Sequence, residues 1–402
     1  MFSSRRQLPR HFFPPRFCLN IIMQPDNLPN TCILHVGMRK TGTTSIQWFL
    51  LKKLADPSFR QFCFDHPLGN ASEGMIDLFS GFEKPYIYNT QKGLAYQSIV
   101  EKRPELSRRL EAALDAAGQS KARLVISAER LWNRNAGMHT GIRDFMNDRA
   151  WAAEVIAYLR PPKQWLESIF QQILKMGNIP LYMAVLRKDG FVLPKAELLR
   201  ETIETLDKVY GKEKVRLYAY EPRQFEKGCI VGDFCRQLGV AGEVGTHFRS
   251  NESLRVPAIR FLYAYRRFAQ PEAVGKMGNA CIKAMYTLQG QPLRFHSSLI
   301  RPAYRLLEAQ FPWLEERLGF SLREDIHRDD DGPCIRCEAD LFDFDPESLE
   351  WLAEQTGGKP VRPTRDEAAA RAVAEQVQRL RNDGPRRNRP GPWHFFRSLG
   401  KG

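Results

Sequence analysis

A short apolar run that stops at a glycine and opens onto a helical pattern constrains this chain most. Ile33, Leu34 and Val36 read as a buried strand ending in Gly37, and Ile46, Phe49, Leu50 and Leu54 then recur at helical spacing. The unit repeats along the chain. Leu106, Leu110 and Leu114 mark an amphipathic helix closed by Gly118, before Leu124, Val125 and Ile126 form a second buried run. Val155, Ile156, Tyr158 and Leu159 form a third, halted by Pro161 and Pro162, and Leu166, Ile169, Ile173 and Met176 then share a helical face. Leu199, Ile203, Leu206 and Tyr210 make a further helix ended by Gly211, and residues 215–220 return as a strand. Strands separated by helices imply right-handed crossovers, hence a three-layer α/β fold with a central parallel sheet flanked by helices.

From about 246 to 365 the alternation gives way to helical pieces and Pro- and Asp-rich loops, a mainly helical late region expected to shape an acceptor site. The expected organisation is therefore a basic extension at 1–25, a core at 26–245, this helical insertion at 246–365, a surface helix at 366–381 and a basic tail at 382–402. Of the net charge of +14, nine units fall within residues 1–25 and 381–402. The body is thus only mildly basic, which suits an anionic ligand and argues against a nucleic-acid partner. No apolar run approaches the ~20 residues of a spanning helix, so stable membrane insertion is not expected. Eight cysteines without a repeating spacing point to a reducing, cytoplasmic setting rather than a disulfide framework. Cys334 and Cys337 form a CxxC with no second ligand pair at zinc-ribbon distance, and no metal site is expected.

The chemistry concentrates in the turn between the first strand and first helix, His35-Val36-Gly37-Met38-Arg39-Lys40-Thr41-Gly42-Thr43-Thr44-Ser45. A helix N-terminus at the carboxyl end of a strand offers unpaired N–H groups and a positive dipole end to an anion. Gly42 lets the backbone approach, Thr41, Thr43 and Thr44 add hydroxyls, and Arg39 and Lys40 add charge. Gly37 and Gly42 have the spacing of a nucleotide-triphosphate loop, but Thr43 and Thr44 stand where that loop has its lysine and its magnesium-binding hydroxyl. A lysine at position 40, inside the loop, can instead reach a bridging oxygen without a metal.

Lys40-Thr41-Gly42-Thr43-Thr44 resembles the 5′-phosphosulfate loop of sulfotransferases that use 3′-phosphoadenosine 5′-phosphosulfate (PAPS), a P-loop-like family. Arg39 stands where that family usually has proline. A second element is also similar: Val155 to Leu159 leads to Arg160, and Ser168 follows eight residues later. In the family such a pair holds the donor's 3′-phosphate, a task suited to a guanidinium and a hydroxyl. The resemblance covers residues 31 to about 240.

It implies PAPS as donor, bound by Arg39, Lys40, Thr41, Gly42, Thr43, Thr44, Arg160 and Ser168, with Lys40 catalytic and no metal. It implies a general base near a strand end, for which Glu129, after Val125-Ile126-Ser127-Ala128, is the candidate and Ser127 a supporting donor. His35 is the reserve candidate. The implied reaction is sulfuryl transfer to an acceptor hydroxyl, on a carbohydrate such as a glycan, a lipid-linked sugar or a small alcohol. A P-loop-type small-molecule kinase and a non-catalytic nucleotide or glycan binder are the alternatives.

Overall fold

The computed structural model describes residues 30–81, 96–177, 199–240, 253–269 and 275–385. The expected extension at 1–25 and the tail beyond residue 385 lie outside them.

Strand β1 (Asn30–His35) is followed by helix α1 (Thr43–Lys52), strand β2 (Phe59–Phe62) and helices α2 (Ser72–Phe79) and α3 (Tyr96–Gln119). Strand β3 (Arg123–Ser127), helix α4 (Ala136–Asn147), strand β4 (Trp151–Leu159) and helix α5 (Pro162–Met176) come next. Helix α6 (Leu199–Tyr210), strand β5 (Val215–Ala219) and helix α7 (Ile230–Leu238) complete the alternation. The five strands form one sheet in the order β2-β3-β1-β4-β5, with every pairing parallel. This is an α/β fold with a central parallel sheet flanked by helices.

Side chains alternate across the pleat, so each face collects its own set. Leu34, Ile126 and Val155 enter one apolar core, whereas Ile33, Val125 and Ile156 enter a second with Ile46 of α1 and Phe234 of α7. Both faces are covered, which is why the strands read as apolar runs rather than as alternation. Strand β1 lies between β3 and β4, and the chain passes to opposite sides of it. That switch point opens a crevice at the strands' carboxyl ends.

The late region contributes α8 (Val256–Phe268), α9 (Asn279–Met285), α10 (Ser297–Glu308), α11 (Phe311–Leu318), α12 (Pro346–Thr356) and α13 (Glu367–Asp383). Phe261, Tyr263, Phe295, Leu352 and Val373 join the same core as Leu34 and Val155. Asp366 caps α13 by accepting from Ala369 N at 2.8 Å.

Helix α5 is the rail that fastens this region to the sheet. Lys163, Glu167 and Gln171 stand four residues apart and so share one face. Lys163 donates to Asp329 Oδ2 at 2.6 Å and to the Ile326 carbonyl at 3.2 Å. Glu167 accepts from Phe295 N at 3.1 Å, and Gln171 from Leu254 N at 3.0 Å. At the helix end the fully buried Arg266 donates to the Leu174 carbonyl at 2.7 Å and the Lys175 carbonyl at 3.1 Å, satisfying oxygens that a helix C-terminus leaves without partners.

Among the described residues no helix is long and apolar enough to cross a membrane.

Candidate active site

The loop between β1 and α1 lies at the switch point. Its two glycines are required by space. A Cβ on Gly37 would stand 2.5 Å from Thr43 Cγ2, and Gly42 combines φ +78° with a Cβ position 2.9 Å from Ile230 Cγ2. Gly42 is also the N-cap of α1 and supplies no side-chain cap, and the first turn of α1 carries no acid. The turn is therefore an uncapped, positively poled helix end.

Lys40 takes φ +68°, a left-handed conformation that costs a residue with a Cβ about 1–2 kcal/mol. Arg160, at the end of β4, donates from Nη1 to the Lys40 carbonyl at 2.9 Å and holds the loop in that shape. The Arg160 guanidinium lies over the Tyr220 ring, 5.2 Å from its centroid. Its Nε is buried without a partner among the described residues. A buried donor left unpaired is costly, and an anion at this point would satisfy it. Ser168 is buried on α5 two turns beyond, while Arg39 and Thr44 are half-buried at the loop.

Two of the three threonine hydroxyls expected to face a phosphate are used otherwise. Thr41 donates to the Met38 carbonyl at 2.6 Å, inside the loop, and Thr43 donates to Glu129 Oε2. Their contribution to an anion site would come through backbone and loop shape, leaving Thr44 as the hydroxyl on hand. Glu129 begins a short 3-10 turn directly after β3, and Ala128 N donates to the His35 carbonyl at 2.9 Å, so β3 delivers its carboxylate beside the loop.

Ser127 does not support Glu129. Its hydroxyl pairs with His35 Nδ1 at 2.8 Å. His35 is fully buried, and burial pushes its imidazole down to about 3. Its Nε2 is buried without a partner among the described residues and lies beside Gly37 at the base of the loop.

The site is strongly positive. Burial and the neighbouring Arg160 bring Lys40 down to about 8, with Glu129 opposing the shift. Arg160 is also lowered, by burial first, against the pull of Tyr220, Glu167 and Glu324. Arg130, in the turn beside Glu129, is lowered by burial with Arg39 and Arg134 adding repulsion.

Lys175 escaped sequence reasoning. It is the next member of the row Lys163, Glu167, Gln171, and its Nζ donates to Tyr286 OH at 2.9 Å. A polar residue at every fourth position of the helix was the signal available for it. Burial, then repulsion from Lys40, brings Lys175 down to about 8. The aromatic residues of the late region are packing elements by comparison: Trp351 stacks on Phe261 at 6.3 Å, and Trp313 lies under Arg200 at 5.1 Å. The cysteines among the described residues are free thiols, and Cys337 caps the short turn Glu338–Phe342. Among the described residues, no group of three His, Cys, Asp or Glu side chains is placed to hold a metal ion.

No protein-family profile matches the chain, and no curated protein does. Among solved structures it is similar to a sulfotransferase from Alicyclobacillus acidocaldarius, at a TM-score of 0.34 and 16% identity, over 59% of this chain and 90% of that one.

Proposed function

We propose that this chain is a PAPS-dependent sulfotransferase acting on an acceptor hydroxyl. The observation that supports the reading best is Arg160, which ties the strained Lys40 to the end of β4 while presenting a buried Nε that has no partner among the described residues. An anion-binding loop and a second buried cation for another anion, both at one switch point, suit a nucleotide with phosphates at two separate positions.

The donor, when bound, supplies a sulfuryl group attached to a good leaving group. Residues 39–44 would hold its 5′ side, and Arg160 and Ser168 its 3′-phosphate. Glu129 takes the proton of the acceptor hydroxyl as the oxygen attacks sulfur in line. Lys40 stabilises the charge that grows on the bridging oxygen as that bond breaks. Thr43 fixes the carboxylate of Glu129 through its hydroxyl, so base and loop move together.

Calorimetry tests the reading. Adenosine 3′,5′-bisphosphate should bind at least about tenfold more tightly than adenosine 5′-monophosphate, the effect expected from one added charged contact. Equal affinities, or preference for ATP with magnesium, would turn the assignment toward a kinase. Binding without turnover of PAPS on any hydroxyl acceptor would turn it toward a non-catalytic protein.

A further inference from the structure

The late region encloses a cavity of about 390 Å³, a volume within the range of small-molecule sites. Arg260, Arg294, Arg336 and Arg365 line it, together with Asp340, Asp343 and Asp345. The pairing within this set decides what else it can hold. Arg365 grips Asp343 with a fork, Nε to Oδ1 at 2.7 Å and Nη2 to Oδ2 at 2.9 Å, and Arg260 Nη2 adds a bond at 3.3 Å. Arg294 donates from Nη1 to Glu167 Oε2 at 3.2 Å, which joins the cavity to α5. Arg336 differs from the other three. Its guanidinium donates only to main-chain oxygens, of Asp330 at 2.6 Å and Gly332 at 3.5 Å, and its Nε and Nη1 have no partner among the described residues. A cation with no carboxylate of its own therefore stands at the cavity.

Two of the aspartates keep acceptor capacity. An ionised carboxylate offers about four lone-pair sites. Asp345 uses two, for Ser348 N and Ser348 Oγ at 2.8 Å each. Asp340 spends Oδ2 on Arg336 N at 2.7 Å and Cys337 N at 3.1 Å, and its Oδ1 has no partner among the described residues. These oxygens call for donors, and a hydroxyl is a donor that brings no charge. A metal ion does not suit a cavity ringed by guanidinium groups, and an inorganic anion would leave the aspartates without donors. Pro257 and Ile335, both buried, add an apolar wall.

We propose that this cavity binds a sugar acid, a pyranose ring that bears one carboxylate. Arg336 takes the carboxylate with its unspent N–H groups, in the planar geometry that a guanidinium offers. Asp340 and Asp345 accept from ring hydroxyls, and the C–H face of the ring packs on Pro257 and Ile335. The same groups serve a free acid or the end residue of an acidic glycan. The site shares no residue with the nucleotide site above, and no covalent step takes place in it.

The full-length protein is titrated without nucleotide, with sodium glucuronate, glucose and sodium acetate as probes. Glucuronate should bind at least about tenfold more tightly than glucose, which lacks the carboxylate, and than acetate, which lacks the ring; one charge-assisted hydrogen bond accounts for a factor of that size. Arg336→Gln should weaken glucuronate about tenfold and leave glucose unaffected, and Arg336→Lys should recover part of the loss. Arg336 is exposed, so its replacement leaves the core intact. A second readout locates the ligand. Cys334 lines the cavity and Cys337 does not, and tryptic cleavage after Arg336 puts the two thiols on different peptides. Glucuronate should slow the labelling of Cys334 by iodoacetamide and leave that of Cys337 unchanged. Methyl β-glucuronide, blocked where a glycan would continue, should match glucuronate if the cavity takes chain ends and bind more weakly if it takes the free acid. Equal affinities for glucuronate and glucose, unchanged glucuronate binding in Arg336→Gln, or no protection of Cys334 would overturn the inference. Each of these results leaves the donor reading in place, because no arm contains a nucleotide.

Discussion

The Arg160 guanidinium donates to the main-chain oxygen of Lys40 at 2.9 Å, across 120 positions of sequence. The bond joins the end of β4 to the loop after β1 and keeps a lysine in a left-handed conformation. It also gives Arg160 two tasks, since Nη1 is spent on the loop while Nε remains for a ligand.

Replacing Arg160 should accordingly affect two properties at once. Arg160→Ala should weaken binding of the bisphosphate by about 1.5–3 kcal/mol, the range for a charged hydrogen bond, and binding of the monophosphate by less. Arg160→Lys keeps the charge without the fork that serves both tasks. Calorimetry with the two nucleotides checks this, and equal losses for both would place Arg160 away from the 3′-phosphate.

Lys40 should govern the alkaline side of the rate profile. With its ammonium brought down to about 8 by burial and Arg160, it is charged below that value and loses its proton as the pH rises through it. The stabilisation of the leaving group is lost in the same direction. Lys40→Ala should lower kcat by ~10²-fold or more, as for loss of an oxyanion donor. Lys40→Arg should be slower than wild type but keep its rate to higher pH, because a guanidinium does not titrate there. An alkaline limb that persists unchanged in Lys40→Arg would assign it to another group.

The parts legible in the sequence are those with strong local signals. Strands β1, β3 and β4 announced themselves as apolar runs because a parallel sheet buries both faces, and the edge strand β5 did so by alternation, through its buried Val215 and Leu217. Strand β2 did not, since Phe59-Arg60-Gln61-Phe62 is an edge strand with a single buried side chain. The first half of β4 was also hidden, because Ala152, Ala153 and Glu154 are poor strand formers whose place is set by pairing with β1. The same division runs through the site. Gly42 and Arg160 follow from turn chemistry and position, whereas the pairing of Ser127 with His35 arises from strand register and that of Thr43 with Glu129 from the way helix α1 and the turn after β3 meet, neither of which local pattern encodes.

Glu167 ties stability to pH. Burial raises its carboxyl from 4.5 to about 7, partly offset by Arg294 and the Phe295 N–H. A folded-state value above the unfolded one means that folding favours the proton. The contribution is fully present below about 4.5 and is lost as the pH rises through 7. Its full span is on the order of 3 kcal/mol. Glu167→Gln keeps an oxygen for Phe295 N and carries no charge, so its melting temperature should hold up better than the wild type's between pH 5 and ~7.5. Parallel melting curves for the two proteins across that range would show that Glu167 is not the group responsible.

The bond from Thr43 to Glu129 decides whether the carboxylate acts as a base or merely braces the turn after β3. A positioned base contributes ~10²- to 10⁴-fold in rate. Glu129→Gln retains an acceptor for the Thr43 hydroxyl and cannot take a proton, so kcat should fall by at least the lower figure while bisphosphate affinity holds. Thr43→Val keeps the methyl group packed against Gly37 and removes the hydroxyl that orients Glu129. Its kcat should fall by less, roughly tenfold, and Thr43→Ser should recover most of the loss. Because the hydroxyl acts through the carboxylate, the double variant should be no slower than Glu129→Gln alone. Multiplied losses in the double variant would instead assign the Thr43 hydroxyl to the donor, and an undiminished rate in Glu129→Gln would leave the proton to another base.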